Sequence, residues 1–139
     1  KNQGMGIAIS SGQERDMPTW GACVAHVEVD VESGKVKVHK LTGILDCGTV
    51  VHPDGALAQT QGSMLWGLSL ALFEGTEFTK GQVKDTNLDT YTPLRMNNLP
   101  DLDISFGSGE PIGYPLPVCV FVVKNTTICL VKSFGKLIT

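Results

Sequence analysis

Residues 45–55 read LDCGTVVHPDG and lead directly into ALAQTQGSMLWGLSLALFEG at residues 56–75. A strand-like run ends at Asp46-Cys47-Gly48, turns through His52-Pro53-Asp54-Gly55 and enters a helix. Pro53 and Asp54 form a good helix start, with Asp54 placed to cap exposed amides. From Ala56 to Phe73, Leu57, Met64, Leu65, Leu68, Ala71 and Leu72 recur at three- and four-residue steps or their sums, which predicts one buried stripe. Gly75 is the expected stop. Glycine inside a helix costs about 1 kcal/mol relative to alanine. Gly62 and Gly67, with Ala58 and Ser63 beside them, therefore ask for a reason: close packing on a sheet, or close approach of a flat ligand.

Upstream, Ala22 to Val31 alternates cleanly. Ala22, Val24, His26, Glu28 and Asp30 fall on one face, and Cys23, Ala25, Val27, Val29 and Val31 on the other. Glu32-Ser33-Gly34 supplies a turn, and Lys35 to Asp46 resumes the alternation with Val36, Val38 and Ile44 as core candidates. This predicts an antiparallel hairpin with one solvated face, on which Lys35, Lys37, His26 and His39 need no special role. Downstream, Thr76 to Lys84 predicts a second short hairpin turning at Lys80-Gly81. Asp85 to Pro93 reads as loop, Leu102 to Phe106 as a strand, and Gly107 to Pro117 as loop again. The tail, with Val118, Val120, Val122, Ile128, Leu130 and Val131 around a polar turn, is strand-prone. The expected fold class is α+β: antiparallel hairpins packed on one long helix, with residues 1–139 forming a single domain or a fragment of one.

Composition narrows the function. A net charge of −3, a pI near 5.5 and no clustered basic face argue against a nucleic-acid partner. The longest apolar run, Val118 to Val123, is too short to span a bilayer, and residues 1–17 lack the apolar core of a secretion signal. The four cysteines at 23, 47, 119 and 129 form no C-x-x-C pair and have no histidine at ligand spacing, so no zinc or iron–sulfur site is expected from this chain. Cys23, Cys119 and Cys129 read as buried small hydrophobes, and Cys47 as a turn residue. Dinucleotide, P-loop and G-x-S-x-G fingerprints are absent.

Four segments in order carry a resemblance. GMGIAIS at residues 4–10 is similar to a glycine-rich strand, and residues 22–48 to a long hairpin ending in D-C-G. Residues 54–72 resemble a helix written around Q-x-x-G, and YTPLRMNNLP at 91–100 the segment Y-x-x-L-R-M-N-E-x-P, with Asn98 in place of the usual acid. Together they resemble the C-terminal, cofactor-binding part of the molybdenum hydroxylases, the xanthine oxidase family. The nearest likeness is to the large (beta) subunit of isoquinoline oxidoreductase and its aldehyde-oxidising relatives.

The resemblance implies hydroxylation of an N-heterocycle, or oxidation of an aldehyde, with oxygen drawn from water. The implied cofactor is molybdopterin. The implied partners are the rest of the large subunit, an iron–sulfur small subunit and a small-molecule substrate. Gln59 matches the glutamine that contacts the cofactor in relatives, with Gly62 and Gly48 as the other implied cofactor-binding residues. An amide offers both donor and acceptor to a pterin edge, and the helix start adds a partial positive pole. Gly107-Ser108-Gly109-Glu110-Pro111 has the form around the family's general base, so Glu110 is the catalytic candidate. It stands only fifteen positions after Arg95, though, near where the family carries a non-catalytic E-P pair, and a turn glutamate is the competing reading. The tail from Tyr114 also departs from the family pattern. Arg95 is expected to tie down its loop through an ion pair, and His52 to make a local turn contact.

Most of the segments that build the family site are absent from this chain. The isolated chain is therefore expected to be inactive and to hold no molybdopterin stably, and to self-associate through apolar surface on the helix or tail. The alternative is a noncatalytic remnant serving as a structural or interaction module. Substrate, redox partner and compartment are not encoded in these segments.

Overall fold

The computed structural model describes residues 2–14 and 17–107. The strand-prone tail, Cys119, Cys129 and Glu110 lie outside the described residues. Six strands and one long helix follow in the order β1 (Gln3–Glu14), β2 (Met17–Val29), β3 (Val36–Asp46), α1 (Pro53–Leu72), β4 (Phe78–Thr79), β5 (Gln82–Val83) and β6 (Asp101–Phe106), with a 3-10 turn at Met96–Asn98 before β6. The main sheet has the order β1-β2-β3-β6, and β4-β5 is the small hairpin expected around Lys80-Gly81.

The predicted hairpin is β2–β3, antiparallel from Trp20 opposite Asp46 to Val29 opposite Val36. The Asp30 carboxylate builds its turn. It accepts the Glu32 amide at 3.1 Å and the Ser33 hydroxyl, while Gly34, at φ +67°, returns its amide to the Asp30 carbonyl at 2.7 Å. These bonds favour the ionised carboxyl and hold its pKa below the ordinary range, the Ser33 hydroxyl contributing most. Val31, assigned to the inner face by alternation, sits in this turn and is 72% exposed.

The inner face of β3 changes phase. His26 pairs with Lys40, but the next residue, Val27, pairs with Val38, so His39 is an extra residue on β3. Before this bulge Val36 and Val38 turn inward; after it Leu41, Gly43 and Leu45 do. Ile44, expected inside, is consequently on the outer face and half exposed. The His39 imidazole donates to Glu28 at 2.7 Å, and its ring centroid lies 5.2 Å from that of His26. The bond to His39, with a second from Gln3 at 3.2 Å, lowers the Glu28 pKa.

The sheet is mixed rather than wholly antiparallel. β6 lies parallel to β3, from Lys40 opposite Asp101 to Leu45 opposite Phe106, with Lys40 and Asp103 paired at 2.8 Å. Two parallel neighbours require a crossover, and α1 provides it. The helix covers one face of the sheet. Ala8, Cys23, Ala25, Val27, Val38, Leu41, Leu45, Met64 and Leu68 form the core, with Leu102, Ile104 and Phe106 of β6 partly buried against it.

The buried side of α1 is more polar than the apolar stripe predicted. Thr60, Ser63, Met64, Gly67, Leu68 and Ser69 are buried, whereas Leu57 and Leu65 are only partly so. Its hydroxyls have partners: Thr60 donates to the Ala56 carbonyl at 2.8 Å, Ser63 to the Thr60 carbonyl at 2.9 Å, and Ser69 accepts the Leu94 amide at 2.9 Å. A hydroxyl matched in this way can be buried without the penalty of an orphan. The helix closes at Phe73, two residues before Gly75. The amides of Phe73 and Glu74 both donate to the Ser69 carbonyl at 2.9 Å.

At its start the cap is His52, not Asp54. The His52 Nδ1 accepts the Gly55 amide at 2.8 Å. A Cβ on Gly55 would stand 2.7 Å from that nitrogen, so the glycine and the ring fit as a pair. His52→Ala is expected to lower stability by about 1 kcal/mol, read as a shift in the urea midpoint. An unchanged midpoint would show that the ring contributes nothing to the helix start.

Candidate functional site

The parallel pairing of β3 and β6 brings three of the motif segments together. β3 ends at Asp46 and β6 at Phe106, side by side, and the ladder continues one step further, with the Gly107 amide donating to the Leu45 carbonyl at 2.6 Å. A Cβ on Gly107 would lie 3.3 Å from that of Asp46. Gly107 therefore stands beside the Asp46-Cys47-Gly48 turn, and α1 starts from the same end. Crevices at the carboxyl ends of parallel strands are where open sheets place ligands.

Gly48 is buried with φ +76°, a conformation that only glycine adopts without strain, and its amide reaches toward Asp46 Oδ1 at 3.4 Å. Cys47 beside it is partly buried. Burial, and then the Asp46 charge, push its thiol pKa up, so the neutral thiol predominates. Cys47 is accordingly expected to alkylate more slowly with iodoacetamide at pH 8 than the same cysteine in urea-unfolded chain, read by peptide mass spectrometry. Faster reaction in the folded chain would mean a thiolate-stabilising site that this geometry does not contain.

Gln59 is exposed on the side of α1 that faces away from the sheet. Gly62, Trp66 and Leu70 continue the same stripe at helical spacing; Gly62 has open space where a Cβ would be, and Trp66 is 52% exposed. Among the described residues nothing fills the glycine notch at 62, whereas Gly67 is buried against the sheet side. Exposed Trp66 and Leu70 are uncovered apolar surface on the helix, as expected.

The start of α1 is a poorer anion site than the sequence suggested. Pro53 has no amide hydrogen, the Gly55 amide is taken by the His52 ring, and the Ala56 amide by the His52 carbonyl at 3.0 Å. Asp54 adds a negative charge to the first turn. The partial positive pole expected near Gln59 is therefore largely spent.

Other sequence candidates fall elsewhere. Arg95 is exposed at the opposite end of the sheet, before β6, and has no ion pair among the described residues. Its loop is held instead by the Leu94 amide on Ser69 and by the Tyr91 hydroxyl donating to Glu74. The Glu74 bond raises the Tyr91 pKa. A recess of about 1000 Å³ also lies at that opposite end, lined among others by Lys37, Val38, Leu72, Phe73 and Asn98; of the described site candidates, none of Gln59, Gly62 and Gly48 borders it. Among the described residues no group of three His, Cys, Asp or Glu side chains is placed to hold a metal.

The sequence reading passed over Thr19. It is 2% exposed, and its hydroxyl has no hydrogen-bond partner among the described residues. It precedes Gly21, which pairs with Leu45 at the site end of the sheet. Its inward position was legible from the β2 alternation extended upstream.

Comparison with known proteins gives the family. The pattern of the molybdopterin cofactor-binding domain matches residues 5–100, and the chain belongs to that family. Over 119 residues it is 54% identical to a membrane-bound aldehyde dehydrogenase [pyrroloquinoline-quinone] of Gluconacetobacter polyoxogenes, covering 80% of this chain and 15% of that protein. It is 31% identical over 83 residues to the isoquinoline 1-oxidoreductase subunit beta of Brevundimonas diminuta, covering 60% of this chain and 11% of that protein. The fold matches a Cu,Mo-CO dehydrogenase with TM-score 0.78 at 18% identity, over 85% of this chain and 15% of that one. It matches the quinoline 2-oxidoreductase of Pseudomonas putida 86 with TM-score 0.74 at 20% identity, over 86% and 16%. The chain thus spans only 11% to 16% of the length of these proteins.

Proposed function

We propose that this chain serves as the C-terminal cofactor-binding part of a molybdenum hydroxylase large subunit that oxidises an aldehyde or hydroxylates an N-heterocycle. The rest of that subunit and an iron–sulfur subunit complete the enzyme, and the isolated chain is inactive. One observation carries the reading: the Gln59 amide is exposed and without a hydrogen-bond partner among the described residues, one turn along from an unfilled glycine notch at Gly62.

These residues fit the group. Gln59 offers donor and acceptor together to the amide-like edge of a pterin, and Gly62 leaves a flat ring room to approach the helix. The buried Gly48 turn lets backbone close in at the strand end. With the Gly55 and Ala56 amides bonded within the chain and Asp54 in the first turn, the anionic phosphate of the cofactor falls in this reading to other segments of the subunit. When bound, molybdopterin supplies the electron chemistry.

The test uses a chimaeric subunit in which residues 5–100 replace the matching segment of the Gluconacetobacter relative. Gln59→Leu is expected to weaken molybdopterin retention about tenfold, since an unmatched polar edge loses about 1–3 kcal/mol. Molybdenum per subunit and bound quinone are both measured, because the relative's name carries a quinone. Full molybdenum in the Gln59→Leu protein would overturn the role of Gln59, and stoichiometric quinone without molybdenum would overturn the cofactor. The isolated chain is expected to show no oxidase activity and to purify without molybdenum.

A further inference from the structure

We propose that the sheet face opposite α1 is the docking surface for the remainder of the large subunit, an inference that rests on the reading just given. A solvated sheet face alternates polar residues against the apolar inner side. This face does not. Pairing across the strands aligns Ile7 with Val24, and Ile9 with Ala22 and Ile44, in neighbouring rows, with Met5 and Trp20 flanking them. Met5 is 59% exposed, Ile7 52%, Ile9 67%, Trp20 54% and Ile44 52%. Charged groups keep to the margin, where His39 meets Glu28 and Lys40 meets Asp103. An apolar centre with a polar rim is the anatomy of an interface, and a contiguous apolar patch of this kind is uncommon on a protein that faces water.

The occupant is chosen by length. The chain spans 15% of its 54%-identical relative, so most of such a subunit lies outside it and must pack around it. α1 already covers one face of the sheet, so the apolar outer face is the one left for the rest of the subunit. The His39 bulge is what creates the outer strip on β3. It moves Ile44 out and leaves Leu41 and Leu45 in, so the strand supplies apolar residues to both faces at once.

The test substitutes Ile7→Lys and Ile44→Lys together, with Gln82→Lys on the exposed small hairpin as control. In the 139-residue chain the double variant is expected to keep its melting temperature and to lower binding of the dye ANS about threefold. In the chimaeric subunit it is expected to reduce the yield of folded protein about tenfold, while Gln82→Lys changes neither. Normal yield of the double-variant subunit would overturn the proposal. So would unfolding of the double-variant chain, or failure of the parent chain to bind ANS, because the face would then be buried within the chain. A concentration-dependent dimer of the parent chain, dispersed by the two lysines, would assign the face to a second copy instead. Assembly is read separately from molybdenum content, so loss of cofactor in a normally assembled subunit would count against the proposed function and not against this surface.

Discussion

Leu41→Ala is expected to lower the stability of the chain by about 2–5 kcal/mol, the range for deleting a large aliphatic side chain from a packed core. Leu41 is fully buried on β3, with β2 on one side and β6 on the other, beneath α1. Its row pairs it with Ala25 on β2 and with Leu102 on β6, and the next row on the same face carries the small residues Ala8, Cys23 and Gly43. Core volume is therefore concentrated in Leu41, Met64 and Leu68, the largest side chains that are fully buried. Strands paired on both sides hold the backbone around Leu41 in place and limit collapse of the cavity, which favours the upper part of the range. Ile44→Ala is the internal comparison. It removes a side chain half exposed on the outer face and is expected to change stability by less than about 0.5 kcal/mol. Urea unfolding of both variants, at unchanged m-value, decides the matter. Equal losses, or a larger loss for Ile44→Ala, would mean that β3 has no phase change and that the uninterrupted alternation of the sequence is the true one.

Why that alternation misled is physical. The polar and apolar positions of β2 were readable because nothing interrupts its pleat between Gly21 and Val27, and Cys23, Ala25 and Val27 are buried as expected. On β3 a single extra residue, His39, reverses the pattern, and neither His39 nor Lys40 differs in kind from an ordinary solvated pair. A bulge is a property of the pairing between strands, so one strand's sequence does not announce it. The parallel partner was hidden for a related reason. Leu102–Phe106 alternates like any strand, and its direction relative to β3 is settled by the crossover through α1, a non-local feature.

The site shows the same division. The turn and the helix were legible locally, from Asp46-Cys47-Gly48, Pro53 and the three- and four-residue apolar spacing. The cap was misassigned because Asp54 and His52 both carry acceptors near the helix start. Only the observed backbone shows that the His52 ring, with room made by Gly55, takes the amide. The adjacency of Gly107 to Asp46 depends on the parallel pair and was out of reach of any local reading.

Met64→Ala is expected to cost about 2–5 kcal/mol alone, and Gly43→Val about 1–3 kcal/mol alone, yet the two together less than their sum. The reason is one contact. A Cβ on Gly43 would stand 3.2 Å from the Met64 Sδ and 3.3 Å from its methyl, tighter than ordinary van der Waals spacing. Met64 is 1% exposed, so its flexible end has little space into which to retreat. Alanine at 43 asks for a shift of a few tenths of an ångström, and valine adds two methyl groups to the same space. Removing the thioether opens a cavity over the site of the new side chain, so the double variant fills part of what the single one empties. A coupling of about 1 kcal/mol or more in the double-mutant cycle is the expected sign of direct contact between helix and sheet. Strict additivity would show that α1 does not rest its Met64 on Gly43. The helix that carries Gln59 would then be seated differently on the sheet, and the position assigned to that amide would fall with it.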